Sequence, residues 1–264
     1  MTRLVQYFAS GSARVPIGGI VVSPSAAVVE ILGHVGFDAV KLDQMYCAIG
    51  WEAMSHLIRA AKLFGMTPIV KIAADPWGGA ADSRLSVEVA RALGVGAEGV
   101  TASVAGAEDV RAMLRADSGA YHRGIHLFAG ASGGEDAPAP LIFPSIESPD
   151  VLSTLPEVLD VPGVRVVSLS MGDLSRALGF YDDWAHVGFG AVARAIALAH
   201  DRGVRVMANI PRRRQGDDDT AVQAAALHRV GADVLFVQPA EFLLQRALES
   251  TLTAISDSVG GGKR

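Results

Sequence analysis

Several polar side chains stand where apolar runs of the chain end. Asp43 closes "AVKLD", with Tyr46 three residues further on; Lys71 closes "PIVK"; Glu147 follows "LIFPSI"; Asp173 follows "VVSLSMG". Carboxylates, an amine and a phenol gathered at one place could move protons or hold a cation. Glu147 and Asp173 supply hard oxygen donors. With water and a substrate completing the shell, such a pair suits Mg²⁺ or Mn²⁺. No His-rich or Cys-rich spacing argues for a structural zinc site. Each carboxylate also has a plainer reading: Glu147 could cap a helix starting near Pro149, and Asp173 one beginning at Leu174.

Whether these residues meet depends on the elements that carry them. Short runs rich in β-branched residues recur at 17–22, 38–43, 67–72, 97–102, 140–147, 164–170, 204–210 and 232–238. They are continuously apolar, as parallel strands buried on both faces are. Between them lie helix-periodic segments such as "WEAMSHLIRAAKLFG", where Met54, Leu57, Ile58, Ala61 and Leu63 trace one face. Residues 148–160 and 217–230 open with Ser, Pro or Asp, as helix N-termini do. Four helix exits, "HVGFDAV", "LGVGAEGV", "HDRGVRVM" and "HRVGADVLFV", place a Gly where the chain must turn into the next strand. Eight such strand–helix units predict one α/β domain over 1–264, a (β/α)8 TIM barrel, with 259–264 as a flexible tail. A doubly wound sheet is the alternative, but no Gly-x-Gly-x-x-Gly follows the first strand. In a barrel the strand-end residues converge at one rim. That rim is where barrel chemistry takes place.

The bulk properties bound the partners. Half the residues are hydrophobic and the net charge is −5, so the chain can bury a large core and lacks a basic face for nucleic acid. The short run Arg212–Arg214 is followed at once by Asp217–Asp219. It reads as a solvated loop or as an attractor for an anionic substrate. A single cysteine, Cys47, excludes an intramolecular disulfide and fits a reducing compartment. No apolar run reaches signal-peptide or membrane-span length, so a cytoplasmic protein with no membrane partner is expected. The glycine-rich segment 129–140 lacks the Lys-Ser/Thr ending of a phosphate-binding loop.

The stretch "PSIESPDVLSTLPEVLDVPGVRVVSLSMGDLSRALGF" resembles the core signature of the HpcH/HpaI aldolase/citrate lyase family. "GFDAVKLDQMY", "PIVKI" and "GAEGVTASVAGAEDVRAM" extend the likeness more loosely over most of the chain. The resemblance implies a barrel of the phosphoenolpyruvate/pyruvate-binding type. It also implies a homo-oligomer, trimer or hexamer, with the last helix packed on a neighbour. Glu147 and Asp173 would hold the divalent metal, and the substrate would be a pyruvate-like 2-oxo acid passing through a metal-stabilised enolate. Backbone N–H groups around Met171, Gly172 and Asp173 would bind its carboxylate, with Ser145 assisting.

The departures from the family pattern fall at the catalytic groups. Tyr46 occupies the place of the family's acid/base His. Lys71 replaces an Arg, Gly94 replaces that His's acidic partner, and the segment after "HRG" is shortened. The expected activity is therefore a metal-dependent carbon–carbon lyase, an aldolase or decarboxylase, with Asp43, Tyr46 and Lys71 as its altered catalytic set. Two alternatives stand beside it: a Schiff-base aldolase using Lys71, with Lys41 on the adjoining strand, and a barrel that binds 2-oxo acids without turnover. His186 reads as structural, and Trp184, Phe180 and Tyr181 as part of a lid or a subunit contact.

Overall fold

Each apolar run forms a strand buried along nearly its whole length: β1 (Ile17–Val21), β2 (Ala39–Asp43), β3 (Thr67–Lys71), β4 (Gly99–Ser103), β5 (Leu141–Ile146), β6 (Val166–Leu169), β7 (Arg205–Asn209) and β8 (Val234–Pro239). The computed structural model describes residues 1–11, 14–72, 81–117, 139–181, 189–210 and 217–260. Residues 129–138, Trp184, His186, the run Arg212–Arg214 and residues 261–264 lie outside these, as does the segment that follows "HRG". The strands pair in chain order, all parallel, and β8 returns to β1, closing an eight-stranded barrel. The (β/α)8 architecture expected from the sequence is the one observed.

The helices are α1 (Arg3–Ser10), α2 (Ala26–Val35), α3 (Trp51–Leu63), α4 (Ala81–Gly94), α5 (Ala107–Asp117), α6 (Pro149–Ser153), α7 (Leu155–Leu159), α8 (Met171–Ala177), α9 (Phe189–Asp201), α10 (Asp217–Arg229) and α11 (Ala240–Gly260). The one long helix expected over 148–160 is instead two short ones. Pro156 in the first turn of α7 cannot donate to the preceding turn, and the helical ladder breaks there. The four glycine exits behave as predicted: Gly36, Gly96, Gly203 and Gly231 all have positive φ. Of the expected tail, Val259 and Gly260 belong to α11.

Two packing layers set the stage for the site. Outward residues such as Val40, Leu42, Val70 and Val100 meet the helices. Inward residues Ile20, Ala39, Ile69, Phe143, Met207 and Phe236 fill the lower barrel, and α1 plugs its N-terminal end through Leu4 and Val5. The plug is also polar-bonded. Thr2 Oγ1 lies 2.6 Å from Thr67 Oγ1, and the Arg205 guanidinium sits 4.6 Å from the Tyr7 ring centroid. Side chains alternate along a strand, so the inward positions above this apolar floor include those of Lys41, Asp43, Lys71, Ser103, Ser145, Ser168 and Asn209. All of these except Asn209, which is half-buried, are buried. The barrel is thus sealed and apolar at one end and polar at the C-terminal rim.

Candidate active site

Register places the rim residues side by side. Asp43 pairs with Lys71, Lys71 with Thr101, and Ser103 with Ser145. The Gln44 N–H donates to the Lys71 carbonyl at 3.0 Å, fixing the β2 exit against β3. Asp43 Oδ1 accepts the backbone N–H of Tyr46 at 3.0 Å, which folds the loop back over its own strand. Asp43 is therefore a turn-holding residue as well as a charge at the rim.

Lys71 and Glu147 form a part-buried ion pair in the site. Lys71 Nζ donates to Glu147 Oε1 at 3.0 Å, and Ser145 Oγ donates to the same oxygen at 3.1 Å. Burial pushes the Glu147 carboxyl up. The Lys71 ammonium and hydrogen bonds from Ser103, Lys71 and Ser145 outweigh that and hold it below the ordinary carboxylate range. Burial likewise pulls the Lys71 amine down, and the Glu147 carboxylate overcomes it, so Lys71 stays protonated above its usual value. The helix-cap reading of Glu147 fails. Ser148 caps α6 by accepting the Val151 N–H at 3.3 Å. Asp173 lies in the first turn of α8, which starts at Met171 rather than Leu174, and its Oδ2 accepts the Ser170 hydroxyl at 2.8 Å.

Of the expected carboxylate-binding backbone, the Asp173 N–H is already bonded to the Ser170 carbonyl at 3.2 Å. Met171 and Gly172 open α8, where N–H groups have no carbonyl one turn back. The Met171 side chain is fully buried in the outer core, so only its backbone can face a ligand.

Tyr46 stands over this cluster with its ring centroid 5.1 Å from Lys71 Nζ, and it is 69% exposed. Burial of its hydroxyl raises the phenol pKa, and the opposing Lys71 charge does not cancel the rise. Phe180, expected at a lid or subunit contact, is instead fully buried and packs edge-on against Phe189 at 5.8 Å. Tyr181 lies under the Arg176 guanidinium at 4.3 Å.

The metal expectation can be weighed on the donors present. Among the described residues no three His, Cys, Asp or Glu side chains cluster as a ready-made cage. Two carboxylates following adjacent strands, with Ser145 and Ser170 hydroxyls bonded to them, form an all-oxygen set that fits Mg²⁺ or Mn²⁺ completed by water and ligand. Glu147 follows β5 and Asp173 follows β6, two strands that pair in the barrel, so both carboxylates stand at the C-terminal mouth.

Lys41 is the residue that strand-end reasoning passed over. It sits in mid-strand, not at its end, and its signal in the sequence was period-two spacing from Asp43 within an apolar run. Asn209, which closes β7, was missed for lack of charge.

The fold and the rim together define a (β/α)8 barrel whose C-terminal mouth gathers two lysines, carboxylates and hydroxyls. No family model matches the chain. It is 31% identical over 183 residues to the 2-dehydro-3,6-dideoxy-6-sulfogluconate aldolase of Pseudomonas putida, covering 65% of this chain and 68% of that protein. Among solved structures, an HpcH/HpaI aldolase from Desulfitobacterium hafniense DCB-2 superposes with a TM-score of 0.78 at 21% identity, covering 97% of this chain and 98% of that one. An HpcH/HpaI aldolase/citrate lyase family protein from Burkholderia cenocepacia J2315 gives 0.76 at 20% identity, covering 97% and 99%. The citrate synthase SbnG gives 0.76 at 22% identity, covering 98% and 99%. The chain belongs to the HpcH/HpaI aldolase/citrate lyase family, and its relatives support a lyase function.

Proposed function

We propose that this barrel is a divalent-metal-dependent carbon–carbon lyase, an aldolase or decarboxylase, acting on a 2-oxo acid. The observation that carries the reading is the Lys71–Glu147–Ser145 cluster beside Asp173 at one rim. The P. putida relative, an aldolase by name, supports the reaction class. Glu147 and Asp173 would hold the Mg²⁺ or Mn²⁺. Bound there, the cation supplies Lewis-acid polarisation of the keto group.

The chain's own residues supply the rest. The N–H groups of Met171 and Gly172 face the substrate carboxylate, with Ser145 beside them. Lys71, fixed as an ammonium by Glu147, sets a positive charge where negative charge develops on the keto oxygen. Its single point charge lacks the planar fork of an arginine, so it stabilises without dictating orientation. Tyr46 lines the mouth as an un-ionised phenol that donates a hydrogen bond, since a raised phenol pKa disqualifies it as a base at neutral pH. The Schiff-base reading is disfavoured for Lys71, because an amine held protonated on a carboxylate is not a nucleophile.

We also place the protein in the cytoplasm as a homo-oligomer, trimer or hexamer. In α11 the side chains of Leu244, Leu248, Leu252, Ile255 and Val259 are all more than half exposed, an apolar stripe of the kind that a second subunit covers. No helix among the described residues is long and apolar enough to cross a membrane.

The test is release of pyruvate from 4-hydroxy-2-oxo acids, or of carbon dioxide from oxaloacetate, before and after chelation. Activity restored by Mg²⁺ or Mn²⁺ is expected, and undiminished activity in metal-free protein contradicts the reading.

A further inference from the structure

The reaction proposed above needs a base at neutral pH, and Tyr46 is not one. The barrel holds another basic group at the same mouth. Lys41 is 4% exposed, against 7% for Asp43 and 6% for Lys71, so it is set no apart from the rim residues by burial. Its Nζ donates to Asn209 Oδ1 at 3.1 Å, reaching from β2 to β7 across the barrel interior, and lies 5.8 Å from the Phe236 ring centroid. That neutral amide is its one hydrogen-bond acceptor among the described residues. Lys71, by contrast, is pinned to a carboxylate. Ser168, 1% exposed on the inward face of β6, has a hydroxyl with no hydrogen-bond partner among the described residues.

A buried ammonium without a carboxylate partner is costly. Burial, then the charge of Lys71 on β3, brings the Lys41 amine down to about 7. Asp43 on its own strand, Glu147 after β5 and Asp173 in α8 oppose this without restoring the usual value. Asn209 of β7 and Phe236 of β8, which also face it, carry no charge. An amine balanced between its two forms at neutral pH is suited to give and take protons.

We propose that Lys41, anchored on Asn209 at the floor of the mouth, is the proton-transfer residue of this barrel, acting on C3 of the bound 2-oxo acid. The assignment rests on the reading of the site as a 2-oxo-acid lyase. In the condensing direction the free amine takes a proton from C3. The C–H electron pair becomes the C2=C3 bond, and the C2=O π pair moves onto the keto oxygen, where Lys71 offsets its charge. Attack of C3 on an aldehyde carbon then forms the C3–C4 bond and leaves an alkoxide, which takes the proton back from the Lys41 ammonium. Cleavage is the reverse, so no oxidant or reductant enters. Tyr46 orients the aldehyde oxygen by donating to it.

The experiment is exchange of the pyruvate methyl protons for deuterium, followed by NMR in the presence of Mg²⁺ across the pH range. Wild-type exchange is expected to rise through the neutral region and level off. Lys41→Arg, which keeps the charge and cannot deprotonate, is expected to lose exchange by at least about a hundredfold. Lys41→Ala is expected to recover part of it with added ethylamine, following the free-amine fraction of the additive. Exchange within a few fold of wild type in Lys41→Arg, or an unchanged pH profile in Lys41→Ala, overturns the assignment and leaves the lyase reading intact. If Lys41→Arg does not fold, amine rescue of Lys41→Ala decides the matter, and its failure in a folded variant counts against the proposal. No exchange by wild type with any divalent cation overturns the lyase reading and this assignment together.

Discussion

Lys71 and Lys41 are both buried lysines at one rim, yet their surroundings drive them in opposite directions. Lys71 has Glu147 at 3.0 Å and stays charged; Lys41, whose one hydrogen-bond acceptor among the described residues is an amide, is brought by burial down to about 7. Two consequences are measurable. Replacing Lys71 by Met removes the cation proposed to face the keto oxygen, and an isotope-exchange rate about a hundredfold lower is expected. Lys41 acts on stability. Its folded pKa of about 7 lies below the ordinary 10.5, so between those values the unfolded chain binds more protons than the native one. Stability therefore rises with pH across that window, and the cost of the buried amine is fully present below it. The denaturation midpoint of Lys41→Met relative to wild type should be higher at neutral pH, with the gap narrowing as pH rises towards 10. A gap independent of pH would show that Lys41 is not strained.

At the level of elements, closure of the barrel depends on β1 lying tightly against β8. A Cβ on Gly18 would stand 2.3 Å from the Phe236 ring, and that ring is part of the apolar floor beneath Lys41. Gly18→Ala should therefore destabilise the fold by about 1–3 kcal/mol, read as a lower midpoint in denaturant. It should also disturb activity through the floor, which a surface alanine would not. α11 is bound at its start, where Glu241 accepts the Val22 N–H at 3.1 Å and the Ser23 hydroxyl at 2.6 Å. Beyond that turn its apolar stripe faces outward. If the proposed oligomer forms through this stripe, charges introduced at Leu248 and Leu252 should convert it to monomers in size-exclusion chromatography with light scattering, and an unchanged mass would remove α11 from the interface.

For the whole molecule, the barrel was legible because parallel strands buried on both faces write themselves as continuous apolar runs, and each helix exit carries a glycine that the backbone needs. Glu147, Asp173, Lys71 and Asp43 were legible as polar residues stopping such runs. Lys41 was less so: a lysine inside a strand looks like an interruption until closure of the sheet shows that it shares Asp43's inward face. The burial of Phe180 also depended on packing that spacing alone does not encode, whereas the split at Pro156 was written locally, in a residue without an N–H to donate. The central claim is that the rim holds a divalent cation which, with Lys71, stabilises an enolate of a 2-oxo acid. Its most direct measurement is the pyruvate methyl signal in deuterium oxide, recorded with Mg²⁺ or Mn²⁺ and again after chelation. The signal should decay with the cation and persist without it; decay at the same rate in metal-free protein would contradict the account.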